Sequence, residues 1–227
     1  MTFLTIGHRG VMGAEPENTL RSFVRAERSG MDVIGLDLRL SKDGALVVLA
    51  DAEVDRTTDG SGAVADLTRS ELRGLDAGQG ERIPLFEEVP AAVRTPLQVD
   101  LKDADTARAL ARVLLRDGLT GRVTASSGRA DVLTDLSGLV PGVRTVLTAD
   151  RYGPEVVDRA LAAGASGLAL NLRRLTLETV DAAHAAGLRV TGWVVSTQEQ
   201  LRLARALQLD GAATDLPEIR LTGRFTA

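Results

Sequence analysis

A (β/α)8 TIM barrel is the fold class that the sequence predicts. Short apolar runs alternate with helical periodicities from one end of the chain to the other. Eight runs read as strands, at 3–6, 33–39, 97–101, 123–125, 143–147, 167–170, 189–195 and 211–213, each followed by a helical segment or a short tail. Repeated βα units need parallel pairing and right-handed crossovers, and eight of them in roughly 250 residues close a barrel. The 227 residues fit one such domain, with no internal linker and no low-complexity tract. An open doubly wound sheet is the alternative, but no Gly-x-Gly-x-x-Gly opens a helix.

The elements follow in order. Phe3 to Ile6 is an apolar run that ends in Gly7-His8-Arg9-Gly10. Leu20, Phe23 and Val24 carry a helical spacing over 20–28 that begins after the capping pair Asn18-Thr19 and stops at Gly30. The segment from Val33 to Leu40 alternates at period two, with Asp37 and Arg39 on one face and Leu36, Leu38 and Leu40 on the other. The turn Ser41-Lys42-Asp43-Gly44 leads into a return strand over 45–50.

Residues 55–80 are poor in large apolar side chains and read as a long ordered excursion over the barrel mouth, with a short helix near 70–75. Loops of that length are uncommon unless functional. Further helices are expected over 86–93, 106–116, 131–136, 154–163, 177–186 and 198–207, with Pro154 at a favourable first-turn place.

Composition narrows the function. There is no cysteine, which removes disulfides, thiolate metal sites and thiol nucleophiles. A net charge of −4 without a basic stripe argues against nucleic acid. No run of about eighteen apolar residues and no charged-then-apolar leader is present, so a soluble, cytoplasmic protein without a membrane span is expected. Mean hydropathy of +0.04 agrees with that expectation.

Active groups of a barrel of this class sit at the C-terminal ends of its strands. Here those ends carry His8 and Arg9, Asp37, Asp100 and Lys102, Ser126 and Ser127, Asn171, Trp193, and Thr214 and Asp215. Carboxylates converging without thiolates suit a hard, oxygen-seeking cation such as Mg²⁺ or Ca²⁺. Cations beside them suit a phosphate. A small-molecule phosphoester is the ligand class this chemistry points to, against the plainer reading of a polar barrel rim.

The ordered set His8-Arg9-Gly10, Pro16-Glu17-Asn18-Thr19, Asp37, Lys42-Asp43-Gly44, Val47-Val48, Asp51 and Arg56-Thr57-Thr58 resembles the glycerophosphodiester phosphodiesterase family. The resemblance continues through Ile83-Pro84-Leu85-Phe86, Lys102, Trp193, Asp210-Gly211 and Thr214-Asp215, and so covers nearly the whole chain. It implies a barrel that hydrolyses glycerophosphodiesters to glycerol 3-phosphate and an alcohol with a Mg²⁺ or Ca²⁺ ion. Residue by residue, it implies His8 as one of two acid/base histidines and Arg9 as a phosphate clamp. Asp37 and Asp100 become metal ligands, Lys102 a phosphate contact and Trp193 an apolar wall for the glycerol. Apart from the resemblance, Glu17 is expected at the substrate, paired with Arg9 in preference to replacing a metal ligand, as is conceivable for Glu17 or Glu53.

Three positions depart from that pattern. Gly35 stands where the family has a glutamate, Ala50 where it has its second histidine, and the shorter Asp100 where it has another glutamate. Each positioned acid or base contributes about 10²–10⁴ in rate, so weak or altered hydrolysis and weak metal binding are expected. A catalytically silent relative that binds a phosphoester as a sensor or regulatory module is the alternative. The other histidine, His184, falls on a helix away from the mouth. Gly35 inside a strand points to a close backbone approach.

Overall fold

A computed structural model describes residues 3–150 and 153–218. Eight parallel strands close a barrel: β1 (Leu4–Gly7), β2 (Val33–Leu40), β4 (Leu97–Leu101), β5 (Val123–Ser127), β6 (Arg144–Ala149), β7 (Gly167–Asn171), β8 (Arg189–Trp193) and β9 (Gly211–Thr214). Closure runs through β1, which pairs with β9 on one side and β2 on the other. The extra strand β3 (Leu46–Val48) returns antiparallel on β2 as the hairpin partner.

Helices α1 (Leu20–Arg28), α4 (Ala104–Asp117), α5 (Ala130–Leu139), α6 (Pro154–Ala162), α7 (Leu177–Ala185) and α8 (Gln198–Ala206) cover the outside. The short helices α2 (Arg69–Arg73) and α3 (Val89–Ala92) lie between β3 and β4. The helix expected over 86–93 is broken: a 3-10 turn, Phe86–Glu88, precedes α3. Pro90, which has no N–H to give, sits in the first turn of α3, where the missing donor costs no intrahelical bond.

Most apolar burial lies between barrel and helices. One cluster joins Phe23, Ile34, Leu38, Phe86, Leu101 and Leu110, and a second joins Leu147, Leu168, Val190 and Leu201 around the later strands. In β2 the predicted alternation holds, since Leu36 and Leu38 enter this outer core while Asp37 turns into the barrel.

The excursion folds on an apolar cluster of its own, in which Val54, Val64, Leu72 and Ile83 pack on Val47 and Leu49 of the hairpin. It sits beside the loop after β1, where Arg56 reaches Glu17.

That loop is tightly specified. Gly10 has φ +86°, and a Cβ there would stand 2.2 Å from Ser22 Oγ. The same hydroxyl accepts from Val11 N at 2.9 Å and donates to Arg9 O at 3.1 Å, fastening the loop to α1. Arg9 and Asn18 hold left-handed backbone at φ 51° and 57°. Asn tolerates that region, whereas for Arg it stores strain of about 1–3 kcal/mol.

Candidate active site

Strand register sets the site before any side chain is considered. Asp37 on β2 lies opposite Asp100 on β4, which lies opposite Ser126 on β5. These three form one row at the C-terminal rim, where a barrel of this class carries its active groups. Gly7 pairs with Thr214, so His8 and Asp215 follow their strands side by side.

The side chains convert that row into a charge network. Lys102 Nζ donates to Asp37 Oδ1 at 2.7 Å and to Asp100 Oδ2 at 2.5 Å, so its ammonium bridges the two carboxylates. Ser126 Oγ donates to Asp100 Oδ1 at 3.1 Å. On the other side of Asp37, Arg9 Nε lies 3.2 Å from Oδ2. Asn18 binds Asp37 reciprocally, donating from Nδ2 to Oδ2 at 3.1 Å and accepting from the Asp37 N–H at 3.3 Å. The place between Arg9 and Lys102 is therefore held by the Asp37 carboxylate.

The two aspartates answer differently to this setting. Burial penalises the charge on Asp37, but Lys102 and Arg9 outweigh it and hold the carboxyl below its ordinary range. Burial pushes Asp100 up; Lys102 offsets this only in part, and the negative charge of Asp37 adds to it. Lys102 is raised, since the two carboxylates outweigh its own burial.

His8 is oriented from the far end of the chain. Its Nδ1 lies 2.7 Å from Asp215 Oδ1. A carboxylate on one ring nitrogen fixes the ring and leaves the other nitrogen for proton transfer. Sequence reasoning placed Asp215 at the rim without a role, because its partner is 207 positions away. Asn18 is expected as a capping residue and as part of the Pro16-Glu17-Asn18-Thr19 motif, without a role at the site; Thr19 is the cap of α1.

Glu17, expected to touch substrate, is not in the cavity wall. Its carboxylate accepts from Arg9 Nη1 at 2.7 Å and from both terminal nitrogens of Arg56, at 2.8 and 2.9 Å. Burial works against that carboxylate, yet Arg56 and Arg9 outweigh it and keep its pKa low. Glu17 therefore positions Arg9. Arg56 also pairs with Asp51 through its Nε.

A cavity of about 260 Å³ opens among these groups. His8, Arg9, Asp37, Asp100 and Lys102 edge it, Trp193 and Ile6 supply apolar wall, and Gln98, Thr148 and Thr191 contribute polar groups. Trp193 Nε1 donates to Ala169 O at 3.2 Å, which fixes the indole. Gly35 lines the cavity as well, and a Cβ there would stand 3.2 Å from Gly7 O. Gly10 N also donates to Gly35 O at 3.1 Å, so the close backbone approach expected at Gly35 is present. Ala50 is buried, with its carbonyl accepting from Arg39 Nε and Nη2 at 3.1 and 2.8 Å.

The donor set does not fit a resident divalent cation. Among the described residues no group of three or more His, Asp or Glu side chains is placed to hold a metal. Asp37 and Asp100, the two implied ligands, have an ammonium between them. Glu53 is exposed just before the excursion, and Glu17 is held by two arginines. His184 Nε2 lies 3.0 Å from Asp210 Oδ2, at the opposite end of the barrel, where Asp210 leads into β9.

Comparison with known proteins shows the family and the fold. A glycerophosphodiester phosphodiesterase of Caldanaerobacter subterraneus subsp. tengcongensis is 32% identical, with 96% of each chain covered. One from Bacillus altitudinis is 31% identical, over 93% of this chain and 94% of the other. In three dimensions the fold matches an Oleispira antarctica phosphodiesterase, solved in complex with the product sn-glycerol-3-phosphate. That match has a TM-score of 0.88 and 26% identity, over 94% of this chain and 93% of the other. Residues 8–219 match the description of one family over nearly the whole barrel, and the chain belongs to it: the glycerophosphoryl diester phosphodiesterase family.

Proposed function

We propose that the protein hydrolyses phosphodiesters of glycerol to glycerol 3-phosphate and an alcohol, with His8 as its proton-transfer group. The observation that carries this reading is the His8–Asp215 pair at the edge of the cavity, 2.7 Å apart. An imidazole held through one ring nitrogen by a carboxylate is set up as a base at the other. In the reaction, water adds to phosphorus and gives its proton to His8. The P–O bond to the alcohol breaks, and the departing alkoxide takes a proton from solvent. Arg9 and Lys102 face the charge that gathers on the phosphoryl oxygens, and Trp193 and Ile6 offer apolar wall to the glycerol carbons.

Ala50 supports a specific corollary. With no proton donor at that position, departure of the alcohol is unassisted, so the rate should depend steeply on how well the alcohol leaves. The same absence favours a second reading, in which the protein binds a phosphoester without turning it over.

The experiment compares glycerophosphocholine with bis(4-nitrophenyl) phosphate, whose nitrophenolate leaves without protonation. The expected result is measurable release of nitrophenolate that His8→Ala abolishes, with far slower release of choline. Turnover of neither substrate, with glycerol 3-phosphate still binding in calorimetry, would establish the binding role instead.

A further inference from the structure

We infer that this site works without a divalent metal, because the Lys102 ammonium stands in the cation's place between Asp37 and Asp100. The inference rests on the phosphoester reading above and specifies its cofactor requirement. Three observations carry it.

The first is position. One ammonium contacts an oxygen of each carboxylate, at 2.7 and 2.5 Å, across neighbouring strands. A Mg²⁺ or Ca²⁺ ion takes its carboxylate oxygens at about 2.0–2.6 Å, so an ion bridging the same pair would have to expel the lysine.

The second is charge. Asp37 and Asp100 are met by Lys102 and by Arg9, whose Nε lies 3.2 Å from Asp37. Each carboxylate already faces a cation, Lys102 against both and Arg9, which it shares with Glu17, against Asp37. The glutamate missing at Gly35 would have added the third negative charge that calls for a dication.

The third is valence. An ammonium has three N–H donors, and two are committed to Asp37 and Asp100. The third has no partner among the described residues, and Lys102 lines the cavity. It can meet a phosphoryl oxygen without releasing either aspartate, as a bridging metal would.

The test has a ligand arm and a ligand-free arm. In the first, glycerol 3-phosphate is titrated calorimetrically in EDTA, in Mg²⁺ and in Ca²⁺. The expected affinity is the same in all three; tightening by about tenfold or more with either ion would overturn the inference. In the second, thermal unfolding of the wild-type protein is followed with rising Mg²⁺ or Ca²⁺ and no ligand. A cation bound only by the folded state must raise Tm by mass action. An unmoved Tm is expected, and a rise that saturates with metal would overturn the inference whether or not glycerol 3-phosphate binds. Failure of glycerol 3-phosphate to bind under any condition would instead remove the phosphoester reading.

Lys102→Met adds the converse. With the carboxylate pair vacated, affinity in EDTA should fall by about tenfold or more, and Mg²⁺ or Ca²⁺ should restore part of it and raise Tm. A folded Lys102→Met protein that binds glycerol 3-phosphate as the wild type does would also overturn the inference. If this variant does not fold, the wild-type arms decide.

Discussion

Restoring the two missing side chains, Gly35→Glu with Ala50→His, should convert a slow, metal-independent site into a faster, metal-dependent one. The backbone at Gly35 is not in the left-handed region, so a side chain is conformationally allowed there. Replacing glycine at a compatible position gains about 0.4–1 kcal/mol through the unfolded chain. Against this, the new Cβ stands 3.2 Å from Gly7 O, and the strand must give by a few tenths of an ångström. The net effect on stability should be small. At Ala50 the backbone is already fixed through its carbonyl by Arg39, and changing the side chain leaves those bonds in place.

The rate gain follows from the proton donor. One positioned acid is worth about 10²–10⁴ in rate, which is roughly 3–5 kcal/mol of barrier. The third carboxylate adds a negative charge beside Asp37 and Asp100 that Lys102 does not already meet, so the gain should appear only with Mg²⁺ or Ca²⁺ present. Choline release from glycerophosphocholine, measured for both single variants and the double, with and without chelator, is the assay. The double should exceed either single, because acid and cation serve one transition state and are not additive. His8→Ala in that background should abolish the gain. Two results would refute the reasoning. One is a folded double variant with no gain, which would mean that the mouth has drifted at more than these positions. The other is a wild-type protein already turning over glycerophosphocholine at about 1–10³ s⁻¹, which would mean that another group supplies the proton.

Other outcomes follow from the same contacts. Asp215→Asn should lower kcat by about 10²–10⁴, the worth of one positioned base, with little change in KM; an unchanged kcat in a steady-state assay would show that the carboxylate does not orient His8. Asp37→Asn should destabilise by about 1.5–3 kcal/mol in denaturant unfolding, the worth of a hydrogen bond to a charged group, since Lys102 and Arg9 lose their shared carboxylate but keep Asp100 and Glu17. The pH dependences have opposite signs. Asp37 has a lowered pKa, so its contribution is present above the unfolded value of about 3.9 and is lost as pH falls through the folded one. Asp100 has a raised pKa, so its ionisation costs stability as pH climbs from the unfolded to the folded value. Asp100→Asn should accordingly cost far less at neutral pH than Asp37→Asn, and Tm-against-pH profiles of the two variants would show it. Gly10→Ala should cost more than about 1 kcal/mol, because φ is +86° and Ser22 Oγ fills the space a Cβ needs; a Tm within error of wild type would contradict this.

Much of the barrel was legible in the sequence because its cues are local. Leu97–Leu101 reads as a strand from an apolar run, and Leu20–Arg28 as a helix from a capping pair followed by 3.6-residue spacing. The break before α3 was hidden because Phe86 to Val93 keeps a helical pattern of apolar residues across it. The site was legible as far as its rim, since strand ends can be counted. Its wiring was not. That His8 meets Asp215, or that Lys102 turns back onto Asp37 when phosphate was its expected partner, depends on strand register and on which charges lie opposite one another. Glu17 shows the limit well: its pairing with Arg9 is expected from the sequence, but the second guanidinium comes from Arg56, thirty-nine positions away.

The apolar cluster beneath the excursion bears on how the mouth moves. Val47 and Leu49 belong to the hairpin that carries Ala50, while Val54, Val64 and Leu72 belong to the segment beyond it. One face of the hairpin thus shares an interior with the excursion, while Leu46 and Val48 on its other face pack into the cluster that clothes the early barrel strands. Regions with an interior of their own open as cooperative units below the free energy of global unfolding. Amide hydrogen exchange should therefore release the excursion beyond β3, residues 52–83, together and ahead of the barrel strands, with β3 held back by Leu46 and Val48. Loosening that interior at Leu72 would let Arg56 drift with the excursion and slacken its hold on Glu17, while the row of Asp37, Asp100 and Ser126 stays where the barrel holds it.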